Sequence, residues 1–291
     1  MLPVLLDLKF IKIYTFGVFL VLAFFWGAFL LWKNFLLTSF KEEEVFDGVF
    51  ISLGGGLFLS RLTYVILHFD KFGFSILKFI LINGYPGLSL YGFLFGSLLS
   101  LYLYLLFRKL KFTEAVDYFI PAVFLALGFG KLGSFFSGVE VGTKTRFFLS
   151  IKYVGADGLR NLTPLYESLL LFAGAYIAYK ILFAIRRETY PKGFNFSFFV
   201  LYFAIVSFVF DFLKASPTRL FGFSFNALVS LFLLLTFTFY FLYYFRSSIF
   251  GWFGGLSNFI SRKYEQKLHK NLSHKAAKRD RKGEREPSVS G

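Results

Sequence analysis

The chain alternates between long apolar stretches and short polar ones. Each apolar stretch runs for about twenty residues with few charges, which is the length that an α-helix needs to cross a bilayer. We predict seven such spans, at residues 13–32, 45–67, 86–107, 118–136, 164–185, 194–213 and 223–245. The pattern indicates an all-α integral membrane protein with seven transmembrane helices, because helices satisfy their backbone hydrogen bonds internally in lipid.

The segments between the spans include three longer stretches. Residues 1–12 are expected to lie at the membrane interface, and the apolar residues 72–82 are expected to be interfacial or re-entrant. Residues 137–163 form the longest internal polar stretch and contain a turn signal, Ala156-Asp157-Gly158. We expect residues 1–245 to form the membrane domain. Residues 246–291 form a basic tail, with an interfacial apolar patch followed by a disordered end.

Positive charge is distributed unevenly between the two sides that seven spans define. The loops after the first, third and fifth spans and the tail hold most of the cations, including Lys33, Lys41, Arg108, Lys109, Lys111, Arg186, Arg187 and Lys192. Because cytoplasmic loops hold the excess of lysine and arginine, we predict a cytoplasmic C-terminus and an N-terminus outside. The basic tail would then be attracted to anionic lipids at the membrane surface.

The composition narrows the possible chemistry. Hydrophobic residues make up 56% of the 291 residues, phenylalanine accounts for 47 of them, and the net charge is +15, which excludes a soluble domain. The chain has no cysteine, which excludes a disulfide, a thiol nucleophile and a thiolate metal site. Its three histidines are His68, His269 and His274, too few for a metal cluster in the membrane. We expect no metal or other cofactor and no nucleic-acid partner.

One glycine-rich stretch lies at the end of the fourth span. The segment GFGKLGSFFSGVEVG, residues 128–142, places Lys131 among five glycines and two serines. Small residues allow helices or a ligand to approach closely, and a cation at that depth needs an anion or water. Close helix packing, with Lys131 extended to the interface, explains the same stretch equally well.

Further polar side chains fall near the predicted outer ends of spans two, four, five and six. The whole set comprises Arg61, Lys131, Ser134, Glu140, Tyr166, Glu167, Ser207 and Asp211. Together they would form a mixed-charge pocket that opens to the outer leaflet and suits a phosphate head group. The alternative is a set of structural ion pairs, such as Arg61 with Glu167 or Lys131 with Asp211.

Five segments in order resemble those of one membrane enzyme family. They are SRLTYVIL (residues 60–67), PGLSLYGFLFG (86–96), GFGKLGSFFSGVEVG (128–142), TPLYESLL (163–170) and FDFLKASPTRLFGFSFNALVSL (210–231). The family segments read GARLGYVLF, GGLSFHGGLIG, GxGRLGNFxNGExxG, HPTPLYEALL and VEFFREPD…LGxLSMGQxLSL. On these motifs the chain is identified as a divergent member of the prolipoprotein diacylglyceryl transferase family. That family's seven spans and outside N-terminus match the topology predicted above.

The resemblance implies a reaction and its partners. The family transfers the diacylglyceryl group of phosphatidylglycerol to the lipobox cysteine of a prolipoprotein signal peptide. This forms a thioether and releases glycerol phosphate without a metal. The resemblance also implies a multi-pass protein of the bacterial cytoplasmic (inner) membrane with a central cavity open to lipid. The substrate supplies the thiol, so the enzyme needs cations around the leaving phosphate and a group that helps to remove the thiol proton.

Several functional positions of the family are changed in this chain. The family's histidine falls on Tyr91, its signature arginine on Lys131 and its sixth-span glutamate on Asp211. Other changes place Ser134 at an asparagine, Val139 at a glutamate with Glu140 beside it, Phe16 at a tyrosine and Ser207 at an arginine. The matching positions are Arg61, Gly133, Gly138, Gly142, Tyr166 and Glu167. The resemblance thus implies a catalytic set of Tyr91, Lys131 and Asp211. It implies a substrate-binding set of Arg61, Ser134, Gly138, Glu140, Gly142, Tyr166, Glu167 and Ser207.

Two interpretations of these changes remain open. In the first, the chain is a divergent transferase in which Lys131 and Arg61 hold the phosphate. Arg146 or Arg160 from the outer loop would help, and Tyr91, activated by Lys131, would assist the thiol. In the second, the chain is a weakened or inactive relative that binds an anionic phospholipid or a lipoprotein signal helix. We place the transferase first because a thiol supplied by the substrate needs only modest activation. A transporter or channel is disfavoured because the sequence shows no inverted repeat.

Overall fold

The computed structural model of the protein describes residues 3–8, 11–82, 84–153, 155–215 and 223–246. The elements follow in the order β1 (Val4–Leu8), β2 (Ile11–Tyr14), α1 (Thr15–Phe35), α2 (Glu42–Leu67), α3 (Phe69–Phe72), α4 (Ile76–Ile80), α5 (Leu90–Phe107), α6 (Phe112–Ser137), β3 (Ser150–Lys152), β4 (Leu159–Asn161), α7 (Thr163–Arg186), α8 (Phe194–Asp211) and α9 (Phe225–Tyr244). The predicted apolar patch and disordered end of the tail, beyond residue 246, lie outside the described residues.

Within these ranges, seven helices are long and apolar enough to cross a membrane, namely α1, α2 and α5 to α9. The prediction of a seven-span helical membrane protein is therefore confirmed. The largest difference from the predicted bounds is at α6, which begins at Phe112 and not at residue 118. Its first turns hold Glu114, a favourable charge at a helix N-terminus, and the buried side chains of Ala115 and Val116.

Two small hairpins depart from a purely helical fold. β1 and β2 pair antiparallel in the N-terminal segment that we predicted to be interfacial. β3 and β4 pair antiparallel inside the long polar stretch, with Ser150 opposite Asn161. The predicted turn lies between these two strands, where Gly155 and Gly158 adopt φ angles of 79° and 75°. The short helices α3 and α4 lie in the loop between α2 and α5, where an interfacial or re-entrant segment was expected.

Small residues allow the spanning helices to pack closely in pairs. α2 lies along α5, α1 along α6, and α6 along α7. A Cβ atom added to Gly96 on α5 would lie 2.7 Å from the carbonyl oxygen of Gly55 on α2. A Cβ atom added to Gly128 on α6 would lie 2.7 Å from the ring of Phe172 on α7. Glycine at these positions therefore sets the distance between the helices, as small residues do inside membranes.

The apolar core consists of two clusters of buried side chains. One joins α1, α2, α5 and α6, with Phe35 and Leu105 among its members. The other joins α5, α6, α7 and α8 around Phe124, which is fully buried. The ring of Tyr91 belongs to this second cluster and packs edge-on against Phe203. Its hydroxyl group lies at the polar edge of the core, where the candidate site begins.

A buried polar junction fixes the start of α8. The Asp117 side chain on α6 accepts hydrogen bonds from the backbone N–H groups of Gly193 at 2.6 Å and Phe196 at 3.1 Å. The side-chain amide of Asn195 donates to the Asp117 carbonyl oxygen at 3.0 Å. A carboxylate at a helix N-terminus satisfies free amide groups and interacts favourably with the helix dipole. The junction thereby attaches the start of α8 to α6.

Candidate active site

Four charged side chains form a closed group at the end of α6, which we call the charged cluster. The Nζ atom of Lys131 lies 2.8 and 2.7 Å from the two carboxylate oxygens of Glu140 and 2.8 Å from Oε2 of Glu167. The Nζ atom of Lys214 lies 2.5 Å from Oε1 of Glu167 and 3.7 Å from Oε2 of Glu140. Two ammonium groups thus alternate with two carboxylates, and the cluster as a whole is neutral.

Backbone pairing between two distant segments assembles the charged cluster. α6 ends at Ser137, and the left-handed φ angle of 73° at Gly138 turns the chain out of the helix. The N–H group of Thr143 then donates to the carbonyl oxygen of Leu213 at 2.8 Å, and Gly142 pairs with Lys214 in an antiparallel bridge. This pairing places Lys214, which follows α8, beside the carboxylate of Glu140.

Gly142 is required by this pairing because no side chain fits there. A Cβ atom at Gly142 would collide with the carbonyl oxygen of Asn161 and would lie 2.9 Å from Oγ1 of Thr163. The carbonyl oxygen of Gly142 also accepts a hydrogen bond of 3.2 Å from the guanidinium of Arg160. The two glycines of the candidate binding set, Gly138 and Gly142, therefore position the backbone that holds Glu140.

The two carboxylates of the cluster differ in their surroundings. The side chain of Glu167 is 2% exposed on helix α7, whereas that of Glu140 is 33% exposed on the loop after α6. Burial alone would raise the pKa of the Glu140 carboxyl, but the ammonium groups of Lys131 and Lys214 lower it to about 2. Glu140 is therefore a charged, partly accessible counter-ion, while Glu167 is a buried one.

A second polar group lies where α5, α8 and α9 approach one another, and we call it the hydroxyl cluster. The hydroxyl groups of Tyr91 and Ser230 are hydrogen-bonded, and Ser207 also interacts with the Tyr91 hydroxyl. Ser224 donates a hydrogen bond of 2.5 Å to Oδ2 of Asp211. The carboxylates of Asp211 and Glu167 act on the Tyr91 hydroxyl through their charge. Glu167 belongs to the charged cluster, and its charge also influences the hydroxyl cluster.

The expected neighbours of two residues differ from those in the structure. We expected Lys131 to act on Tyr91, but its ammonium group is held by Glu140 and Glu167. The Tyr91 hydroxyl instead interacts with Ser230 and Ser207. The suggested structural pairs of Arg61 with Glu167 and of Lys131 with Asp211 are likewise replaced, because the bridge at Gly142 supplies Lys214 as the second cation.

Arg61 has a different environment from the charged cluster. Its guanidinium is buried and donates to the carbonyl oxygens of Lys78 at 2.8 Å, Phe79 at 2.9 Å and Gly87 at 2.9 Å. It also lies 5.0 Å from the ring centroid of Phe72. These hydrogen bonds from the planar guanidinium of Arg61 attach the α3–α4 segment to α2. These contacts describe a structural role for Arg61.

The remaining residues of the candidate set lie around the charged cluster. The hydroxyl of Tyr166 on α7 donates to the carbonyl oxygen of Leu149 at 3.0 Å, which ties α7 to the loop before β3. Ser134 is buried on α6, and its carbonyl oxygen accepts from the N–H group of Gly138 at 3.0 Å. Arg146 is exposed on the loop between α6 and β3. Of the predicted residues, the structure brings Lys131, Glu140 and Glu167 together in one cluster and Tyr91, Ser207 and Asp211 in the other.

Two residues of this region are missing from the candidate set derived from the sequence. Lys214 follows a span, where lysines are common, so its type and position gave no distinctive signal. The charge balance of the cluster would have indicated a second cation, because the two carboxylates of Glu140 and Glu167 need two cations and Lys131 supplies only one. Tyr153 is 2% exposed, and its burial together with the Glu140 carboxylate raises the pKa of its phenol to about 12. Tyr153 therefore borders the charged cluster as a neutral hydroxyl.

Comparison with known proteins identifies the family to which the chain belongs. A family model described as prolipoprotein diacylglyceryl transferase matches residues 3–243, which include both clusters. The chain belongs to the prolipoprotein diacylglyceryl transferase family. One relative, the phosphatidylglycerol–prolipoprotein diacylglyceryl transferase of Clostridium tetani, is 27% identical over 222 residues, 74% of this chain and 86% of the relative. The enzyme of the same name from Chlorobaculum tepidum is 28% identical over 238 residues, 75% of this chain and 80% of the relative. That of Wigglesworthia glossinidia brevipalpis is 23% identical over 244 residues, 75% of this chain and 85% of the relative.

The two clusters of this prolipoprotein diacylglyceryl transferase family member provide different chemical groups. The charged cluster offers two cations near the membrane boundary, which can exchange one anion for another. The hydroxyl cluster offers a phenol and a carboxylate, which can hold and pass protons. Among the residues that the structure describes, no group of three histidine, aspartate or glutamate side chains is placed to hold a metal ion.

Proposed function

We propose that this protein transfers the diacylglyceryl group of phosphatidylglycerol to a prolipoprotein, with the charged cluster holding the phosphate that leaves. The observation that supports this role is the joint use of Lys131 and Lys214 around Glu140, an anion that is partly exposed and lies on a loop. In the reaction, the sulfur of a substrate cysteine forms a bond to the carbon of the diacylated glycerol that bears the phosphate. The carbon–oxygen bond breaks, glycerol phosphate leaves, and the thiol proton goes to a base.

Charge balance suggests how the lipid phosphate enters the cluster. A phosphodiester has one negative charge, so its exchange with Glu140 keeps two cations opposite two anions. Glu140 is the carboxylate to be displaced, because its side chain is 33% exposed while that of Glu167 is 2% exposed. After the exchange, Lys131 and Lys214 would stabilise the growing charge on the departing phosphate. Glu167 would remain as the fixed counter-ion.

The hydroxyl cluster is the proposed location of proton transfer. The Tyr91 hydroxyl is hydrogen-bonded to Ser230 and is influenced by the charges of Asp211 and Glu167, so a thiol near it would have a hydroxyl partner and negative charge in its surroundings. We assign Tyr91 and Asp211 to the removal of the thiol proton, and Ser207 to the binding of substrate beside them. A thiol needs only modest help to ionise, and this makes a pair of weak bases sufficient.

The finer parts of the assignment are also proposals. The cysteine would be the lipobox cysteine of a signal peptide, and both substrates would reach the site sideways from the lipid through a central cavity. The membrane would be the cytoplasmic (inner) membrane of a bacterium, with the N-terminus outside, because the cations of the chain concentrate on the opposite side. Membership of the transferase family over residues 3–243 favours this activity over an inactive relative that only binds lipid or a signal helix.

A direct transfer assay tests the proposal. Purified full-length protein in micelles that contain phosphatidylglycerol is incubated with a lipobox peptide, and the mass of the peptide is measured. We expect a gain of one diacylglyceryl group, and no gain with a peptide in which serine replaces the cysteine. An unmodified cysteine peptide, together with retained lipid or peptide binding, would instead support the inactive relative.

A further inference from the structure

A groove of about 420 Å³ lies along the exposed face of the C-terminal half of α7. Its lining includes Tyr176, Tyr179, Lys180, Phe183, Arg187 and Thr189. Lys180 is thirteen residues beyond Glu167 on the same helix, which corresponds to about 20 Å along the axis. The groove is therefore separate from the charged cluster and lies towards the opposite side of the membrane.

The backbone after α7 closes one end of the groove. The N–H group of Arg187 donates to the carbonyl oxygen of Phe183 at 3.1 Å, and that of Thr189 donates to Ala184 at 2.9 Å. Between them Glu188 adopts a left-handed φ angle of 59°, which folds the chain back over the last turn of the helix. Thr189 thereby lines the groove together with Lys180 and Arg187.

The depth of Lys180 is unusual for an interfacial lysine. It lies six residues before the helix end at Arg186, or about 9 Å inside the span along the axis. Helical side chains tilt towards the N-terminus, and the Nζ atom of Lys180 lies 4.5 Å from the ring centroid of Tyr176, deeper in the span. A cation at that depth is costly unless an anion accompanies it. Among the described residues, the groove lining contains no carboxylate.

We propose that this groove binds the phosphate head group of an anionic glycerophospholipid from the leaflet at the C-terminal end of α7. Lys180 and Arg187 pair with the phosphate, and the hydroxyl of Thr189 donates a hydrogen bond to it. The rings of Tyr179 and Phe183 pack against the glycerol and the first methylene groups of the acyl chains. Charge complementarity and depth together select a lipid, because a soluble phosphate would bury nothing against these rings and would not reach into the span.

Lipid counting on the intact protein tests this site without relying on transfer. The full-length protein in detergent is titrated with phosphatidylglycerol, and bound lipids are counted by native mass spectrometry. In the variant Lys180→Ala/Arg187→Ala, we expect one class of bound lipid to bind more weakly. The half-saturation concentration of that class should rise about fivefold for each cation removed. The control variant Lys33→Ala/Lys111→Ala removes two exposed cations from the same side and is expected to bind lipid as the wild type does.

Further arms identify the ligand and separate this site from the active site. Phosphatidylcholine is expected to leave the groove empty, and inorganic phosphate is expected not to displace phosphatidylglycerol. Transfer at saturating phosphatidylglycerol should be equal in the groove variant and the wild type. Because lipid counting does not depend on transfer, a failed transfer assay would not bear on the groove. A Lys180→Arg/Arg187→Lys variant should retain the lipid, which provides a test if the alanine variant does not fold. Equal lipid binding by the groove variant and the control would overturn the proposal.

Discussion

The substitution Glu140→Gln isolates the exchange that we propose for the charged cluster. In the wild type, an incoming phosphate competes with a carboxylate whose two oxygens lie 2.8 and 2.7 Å from the Nζ atom of Lys131. A neutral amide is a weaker competitor for the same ammonium groups. We therefore predict that the Gln variant binds phosphatidylglycerol more tightly and that it is less stable when no lipid is present.

The magnitude follows from the geometry of the ion pair. At 2.7 Å and an effective dielectric constant of about 20, the gross attraction is about 6 kcal/mol. Desolvation and the access of water to a side chain that is 33% exposed offset most of this, so a charge-assisted hydrogen bond contributes about 2 kcal/mol net. Removal of that competition corresponds to a decrease of about thirtyfold in the half-saturation concentration of phosphatidylglycerol.

The assay compares thermal unfolding of the wild type and the variant in detergent across a phosphatidylglycerol titration. A ligand that binds only the folded state raises the melting temperature, so the Gln variant should gain more from a given lipid concentration. Asp47→Asn is the matched control, because it removes an exposed carboxylate that lies 3.2 Å from Arg108. Weaker lipid binding by a folded Glu140→Gln protein would refute the exchange and would mean that Glu140 contacts the lipid favourably.

Four further measurements address the two clusters and their support. Lys131→Ala and Lys214→Ala should each weaken lipid binding at least tenfold, and the double variant should lose less than the sum, because both lysines contact the same carboxylates. Tyr91→Phe should reduce transfer at least tenfold if the hydroxyl handles the thiol proton, whereas Tyr91→His, which restores the family residue, should increase transfer. The lowered pKa of Glu140, about 2, means that its ion pairs contribute fully above the ordinary value near 4.5 and are lost as the pH falls towards 2. The stability difference between the wild type and Glu140→Gln should therefore be constant from about pH 8 to about pH 5 and shrink in more acidic buffer. Asp117→Asn should lower the melting temperature and leave lipid affinity unchanged, because its carboxylate contacts the start of α8 and not the site.

The spans were predictable because the bilayer itself dictates their length and composition. The hairpins were not, because a short antiparallel pair depends on which two segments meet and not on the hydropathy of either one. The N-terminal segment illustrates this, since its mixed sequence fits an interfacial peptide as well as the pair β1 and β2. The glycine-rich stretch lies between these cases. Its small residues indicated a close approach, and the structure shows that Gly142 is needed for the backbone bridge to Lys214.

The sequence predicts which residues belong to the charged cluster more readily than it predicts which of them pair. Lys131 and Glu167 are charged residues inside predicted spans, which marks them, and Glu140 lies in the glycine-rich stretch that follows Lys131. Their partner Lys214 depends on a bridge between segments more than seventy residues apart, which leaves no local pattern. Arg61 shows the opposite case. It is buried, as most residues of the site are, yet its partners are backbone carbonyl oxygens, and those are present at every position of every sequence.

Neutrality limits how an anionic substrate can enter the charged cluster. A phosphate added to two cations and two carboxylates would leave an unbalanced charge next to Glu167, which is 2% exposed, and such a charge is costly to bury. Replacement of one carboxylate avoids this cost, and the loop position of Glu140 makes it the one that can leave. Lysine suits the exchange better than arginine would. Its ammonium group is a compact charge without a fixed plane, so Lys131 can keep its contact with Glu167 while its other partner changes.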